Sequence, residues 1–296
     1  MAAESPPGRP EPHPALPGAT LTVRPGELQL WTLSRLWTGE ELPPMAIGEL
    51  DEGERERAAS FVQPRDRLLY VSAHIALRRV LAPHLGIEPA RVGFGRASCP
   101  CCGGPHGRPV LLDAPADLHF SLSHSHGLAV IAVARAPVGA DVQRIPSPGT
   151  TELCLPGMHP WEQKEIAELP LKERPPAFAE LWTRKEAYLK GIGSGLGRVL
   201  TADYLGGDLL ARPPGWIVAN VPGGPGHAAA VALLTDADHW VTARTLPTEC
   251  LYVDDATDLI AAQPVERMAL PTTGRTATAT GDGAGFNGNE RERVTP

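Results

Sequence analysis

The chain has 296 residues, enough for one large domain or two small ones, and 42% of them are hydrophobic, enough for a packed core. Its net charge of −7 excludes a general affinity for nucleic acid. No apolar run reaches the length of about 18 residues that would span a membrane.

The five cysteines are too few for a disulfide scaffold in a chain of this size. The N-terminus lacks the charged-then-apolar layout of a secretory signal, so reduced thiols and a cytoplasmic location are expected.

Residues 1–26 are proline-rich and polar and read as a disordered arm. Glu27 to Leu33 alternates, with Leu28 and Leu30 on one face, and reads as a first strand. Leu50 to Phe61 is highly charged and reads as a short helix with a solvated face. Arg65 to Leu81 is a stronger helix, ended by Pro83 and Gly86. Its Arg67, Arg78 and Arg79 lie off the apolar stripe, as surface charge or an anion-binding face.

Cys99, Cys102 and His106 make a Cys-x-x-Cys followed by a histidine, which is short of the four ligands a structural zinc site needs. Cys101 could complete it, but a glycine- and proline-rich turn holding Arg108 is the favoured reading. His119 to Ser123 alternates as a strand and leads into His124-Ser125-His126-Gly127. Leu128 to Ala134 is a continuous apolar run, hence a buried strand. In Val138 to Gln143, Asp141 and Gln143 share a strand face, and two oxygen-bearing side chains there form a candidate magnesium platform.

Trp161 to Leu169 reads as a short helix with Glu162 and Glu165 on its surface. The next helix starts at Pro175 and Pro176, and Gly191 stands where a helix takes a C-terminal glycine. Phe178, Leu181, Trp182 and Leu189 form its apolar stripe, and Glu186 and Lys190 are neighbours four apart on its flank. The glycine-rich loop Gly191 to Gly197 follows a helix, whereas a phosphate-cradling loop precedes one. Short strands are expected at residues 215–219, 227–234 and 239–244. Residues 251–296 read as a largely disordered tail.

Three motifs call for one explanation. They are Ser121-Leu122-Ser123-His124-Ser125, Gly139-Ala140-Asp141-Val142-Gln143, and Trp182 to Lys190 with Lys185-Glu186-Ala187 at its centre. In this order and spacing, and with Gly107-Arg108-Pro109 upstream, they resemble the Sfp-type 4′-phosphopantetheinyl transferases over roughly residues 28–246. The resemblance implies an α+β fold of two similar halves, each a small antiparallel sheet with a packed helix, divided near residues 27–138 and 139–250.

It implies a monomeric enzyme of the holo-[acyl-carrier-protein] synthase type. Such an enzyme moves the 4′-phosphopantetheine arm of coenzyme A to a serine of an apo acyl or peptidyl carrier protein, with Mg2+, and releases 3′,5′-ADP. The partner would present an acidic helix beside that serine, with no nucleic acid and no membrane involved. Carried over residue by residue, Asp141, Gln143 and Glu186 match the metal positions. Glu186 matches the general base, and Lys190 matches the lysine that meets the phosphates and stabilises the leaving group. His124 matches the 3′-phosphate contact, with Ser123 beside it, and Arg108 and Lys185 match coenzyme A-binding positions, although Lys185 lies within the apolar stripe, where its stem could serve packing as much as phosphate contact.

Gln143 departs from the family pattern, which has an acid there. An amide oxygen can still ligate magnesium, without formal charge. The alternatives are a magnesium-dependent coenzyme A pyrophosphate hydrolase and a non-catalytic carrier-protein-binding protein.

Overall fold

The computed structural model of the protein describes residues 21–35, 44–115, 117–235 and 237–271. The expected disorder of most of the arm and of residues 272–296 lies outside them. Strand β1 (Glu27–Ser34) is followed by helix α1 (Glu52–Ala59), which Asp51 and Glu54 start with a reciprocal capping box, and by α2 (Pro64–Leu85). A short hairpin, β2 (Phe94–Arg96) and β3 (Pro109–Leu111), precedes β4 (His119–Ser125), β5 (Leu128–Ala134) and β6 (Val138–Arg144).

Helices α3 (Pro148–Cys154), α4 (Pro160–Ala167) and α5 (Arg174–Ile192) come next, then β7 (Trp216–Val221), β8 (His227–Leu234) and β9 (Trp240–Leu246). Helix α6 (Thr257–Ala261) and strand β10 (Glu266–Ala269) follow. Residues 251–271 therefore carry structure where a disordered tail was expected. Their apolar anchors, Leu251, Ala256, Ile260 and Leu270, are too few and too scattered to show a period. No helix among the described residues is long and apolar enough to cross a membrane.

The fold is α+β. A five-stranded sheet runs in the order β10-β9-β1-β5-β4, with α2 packed on it, and a three-stranded sheet runs β6-β8-β7, with α5 packed on it. Both sheets are antiparallel except for one pair, because β9 returns from the end of the chain to lie parallel to β1. This makes β1 an interior strand with both faces covered. Leu28 and Leu30 enter the core between the sheets, and Trp31 and Leu33 enter the core under α2.

The β4–β5 turn is His126-Gly127, both at positive φ, the geometry a two-residue hairpin needs to match strand twist.

Helix α2 runs past Pro83 to a left-handed Gly86. Arg78 and Arg79 are buried in it, neither surface charge nor an anion-binding face. Arg78 pairs with Glu54 and Asp51, and Arg79 pairs with Glu49 while donating to the Cys250 and Val253 carbonyls. These partners lie 24 or more residues away along the chain, beyond any local pattern.

Two features join the sheets. On β4, Ser121, Ser123 and Ser125 share the face toward β6. The Ser121 hydroxyl accepts from the Ala140 amide at 2.9 Å, Ser123 donates to Asp141 Oδ1 at 2.7 Å, and Ser125 accepts from the Arg144 amide at 3.2 Å. Side-chain hydroxyls thus supply at this seam what a backbone ladder supplies within a sheet.

The second feature is the approach of α5 to β6 at Gly139. An ideal Cβ there would lie 1.8 Å from the Ala187 carbonyl oxygen and 2.6 Å from the Gly191 amide nitrogen. Gly191 is thus a contact residue inside the helix, and the left-handed C-terminal glycine is Gly193.

Candidate active site

The close approach of β6 and α5 brings Asp141 and Lys190 together beside a cleft at the seam. Asp141 on β6 is only 5% exposed. Its Oδ1 accepts from Ser123 and from Lys190 Nζ at 2.6 Å, and Lys190 also donates to the Ala140 carbonyl at 3.3 Å. Among the described residues, the other oxygen of Asp141 and the whole carboxylate of Glu186 make no hydrogen bond. Glu186 is half-buried four residues before Lys190 on α5. Burial, and then repulsion from Asp141, push its carboxyl above the usual range, while Lys190 opposes this. Asp141, Glu186 and Lys190 are therefore one electrostatic cluster.

The cleft beside it has a volume of about 480 Å³. Arg96, Arg108, Lys190 and the histidines 74, 106 and 124 line it, and none of its lining residues is a carboxylate. In a chain of net charge −7, such a lining is a local inversion of sign. Arg108 donates across the seam to the Gly191 carbonyl at 3.4 Å, which ties the hairpin to the end of α5. His124 lies on the α2 side of β4, edge-on to Tyr70. Burial first, then His74 and Lys190, hold it neutral, with a pKa of about 4.

Of the residues singled out from sequence, the structure brings Arg108, Ser123, His124, Asp141, Glu186 and Lys190 together. Ser123 serves Asp141 directly. Gln143 shares a strand face with Asp141, but its amide donates to the Arg144 carbonyl at 3.4 Å.

Lys185 is not in the cleft. It is 2% exposed, pairs with Glu162 of α4 at 2.8 Å and donates to the Leu200 and Asp203 carbonyls. Glu162, expected at the surface, is fully buried, because it caps α4 and also receives the Leu205 amide and Lys185. Arg96 and His74 were missed. The pairing of Arg96 with Pro109 sets it beside Arg108, a signal visible only once the short hairpin is known.

Fold and site together define a class: a two-sheet α+β protein whose seam carries an acid–lysine cluster beside a cationic cleft. Comparison with known sequences gives the family. Residues 137–211 match the sequence model of the 4′-phosphopantetheinyl transferase superfamily. The 4′-phosphopantetheinyl transferase HetI of Nostoc sp. strain PCC 7120 is 32% identical over 183 residues, 60% of this chain and 74% of that one. A 4′-phosphopantetheinyl transferase of Bacillus subtilis is 28% identical over 160 residues, covering 52% and 67%. The transferase Sfp of Bacillus subtilis strain 168 is 24% identical over 143 residues, covering 48% and 60%. The chain belongs to the 4′-phosphopantetheinyl transferase family.

Proposed function

We propose that the protein transfers the 4′-phosphopantetheine arm of coenzyme A to a serine of an apo carrier protein and releases 3′,5′-ADP. The observation that carries this reading is the acid–lysine cluster beside a cationic cleft, joined to it through Lys190 and Ser123, which line the cleft and hold Asp141. A nucleotide with a 3′-phosphate and a pyrophosphate is strongly anionic, and this cleft concentrates positive charge for it. The unengaged oxygen of Asp141 and the free carboxylate of Glu186 fit a hard divalent cation with oxygen ligands, and the Gln143 amide oxygen is a third candidate. Bound there, Mg2+ would neutralise charge on the pyrophosphate.

The chain's own residues do the rest. His124 and Arg108 bind phosphate groups and orient the nucleotide. Ser123 fixes Asp141 so that its second oxygen stays available. Glu186 accepts the proton of the carrier serine as the serine oxygen bonds to the phosphorus next to pantetheine. The bond from that phosphorus to the ADP oxygen breaks, and Lys190 stabilises the charge left on the departing oxygen.

The test is incubation with coenzyme A, Mg2+ and apo carriers of fatty-acid, polyketide and peptide synthetases. The expected result is a phosphopantetheine mass gain on one serine. No gain on any carrier would refute transfer. Coenzyme A consumed without a carrier would identify hydrolysis instead. Glu186→Ala and Lys190→Ala should each abolish most of the gain.

A further inference from the structure

The loop between β2 and β3, residues 97–108, packs almost nothing apolar. Only Cys99 and Gly107 within it are buried. Yet its shape is specific. The Cys99 amide donates to the Gly104 carbonyl, and the Gly103 amide donates to the Cys99 carbonyl, both at 2.8 Å. Gly103 is left-handed. A Cβ on Gly104 would sit 3.0 Å from the His106 ring and 3.4 Å from Cys102 Sγ, and one on Gly107 would sit 2.5 Å from the Ala97 carbonyl.

The effect of this folding is to gather three soft or borderline ligands. The Cys99 and Cys102 sulfurs and a His106 ring nitrogen all lie within 4.8 Å of one another, with Cys102 Sγ and His106 Nε2 3.0 Å apart. Ligands about 2.0–2.3 Å from a tetrahedral zinc ion stand roughly 3.5–3.8 Å apart, so small side-chain adjustments close the site.

We infer that Cys99, Cys102 and His106 bind a zinc ion that clips the β2–β3 loop and holds the Gly107-Arg108 turn against the cleft. The ligand set is two thiolates and a neutral imidazole, so the ion's charge is balanced. Cys102 and His106 are exposed, so the fourth corner is reached by water or by the exposed Cys101 thiol. This ion is separate from any cation at Asp141 and Glu186, whose ligands are all hard oxygens. Its role is positional. His106 is followed directly by Gly107 and Arg108, and Gly193 packs on Arg108. A metal clip therefore gives a loop without a core a single conformation at the cleft mouth.

The decisive measurement is metal content of the full-length protein purified under reducing conditions, which needs no transferase assay and so stands apart from the proposed activity. One zinc ion per chain is expected, with X-ray absorption giving two sulfurs and one nitrogen among its ligands. Cys99→Ser and His106→Gln should each lose zinc, by more than the roughly 10–100-fold affinity cost of losing an outer-shell partner. Cys101→Ser should retain it, with water in the fourth position.

If coenzyme A is the substrate, Cys99→Ser, which leaves every cleft-lining residue in place, should show a raised KM with little change in kcat. Absence of zinc from correctly folded protein supplied with the metal would overturn the inference. A Cys99–Cys102 disulfide, seen as a two-dalton mass loss under the same conditions, would overturn it too.

Discussion

Replacing Gly139 by Ala tests whether the contact between α5 and β6 builds the site. The new Cβ would start 1.8 Å from a backbone carbonyl oxygen, and real Cβ contacts essentially never fall below 3.0 Å. Helix and strand must therefore part by at least 1.2 Å, the difference between those two distances. Neither partner is a flexible side chain, so the strain has nowhere local to go.

Opening the Lys190–Asp141 bond from 2.6 Å by that amount takes it to about 3.8 Å, past hydrogen bonding. Overpacking contributes about 1–3 kcal/mol and the lost charged hydrogen bond about 1.5–3 kcal/mol. At roughly 2–4 °C per kcal/mol for a fold of this size, Tm should drop by at least about 5 °C. Misplacing reacting groups by about 1 Å should also lower kcat/KM about a hundredfold.

Thermal melting and a carrier-loading assay read the two effects. Gly149→Ala, whose Cβ would meet nothing within 4 Å, is the control. A Gly139→Ala protein that melts with the parent and loads carrier at the same rate would refute the reasoning.

Three further outcomes follow from the charges. Lys185→Ala leaves the fully buried Glu162 without its partner, so it should lose about 3–5 kcal/mol in a denaturant melt while the KM for coenzyme A in the folded fraction stays unchanged. Glu186→Gln removes a carboxyl that burial and Asp141 push up, a group whose contribution to stability falls as pH rises through its folded-state value. The variant should therefore melt no lower than the parent near pH 7 and yet lose activity.

His124 is held at about 4 in the folded state against an ordinary 6.5. Its contribution to stability is complete above pH 6.5 and is lost as pH falls toward 4, by up to about 3 kcal/mol. Urea midpoints of parent and His124→Gln, compared at pH 7.5 and 5, should show a shallower decline in the variant.

The parts of the fold legible in the sequence were those written in local periodicity. Ser121 alternates with Leu122 because one face of β4 meets the seam and the other faces the core. Leu128 to Ala134 is uniformly apolar because β5 is covered on both sides. Asp141, Glu186 and Lys190 were legible as neighbours because three motifs kept their order.

What escaped was non-local. Lys185 sits one position before Glu186, yet the helix turns it about 100° away, where Glu162 awaits it. Arg78 and Arg79 looked like surface charge because their acidic partners come from a different helix and a short turn. Gly191 looked like a helix end, because a glycine required by a neighbouring backbone cannot be told by sequence from one required by a left-handed φ. The three-residue strands β2 and β3 are too short to show alternation, and Arg96 was missed with them.

The parallel pairing of β1 with β9 has a consequence for synthesis. Glu27 and its partner Trp240 are 213 positions apart, so β1 leaves the ribosome long before the strand that covers one of its edges. Until then the nascent chain carries an apolar strand with a row of unpaired amides and carbonyls, the feature that templates aggregation. Its first sheet cannot close early, however well α2 and β5 have formed. The loop-closure entropy of that pairing falls late and slows folding. Expression yield should therefore depend on translation speed and chaperone supply more than native-state stability alone would suggest.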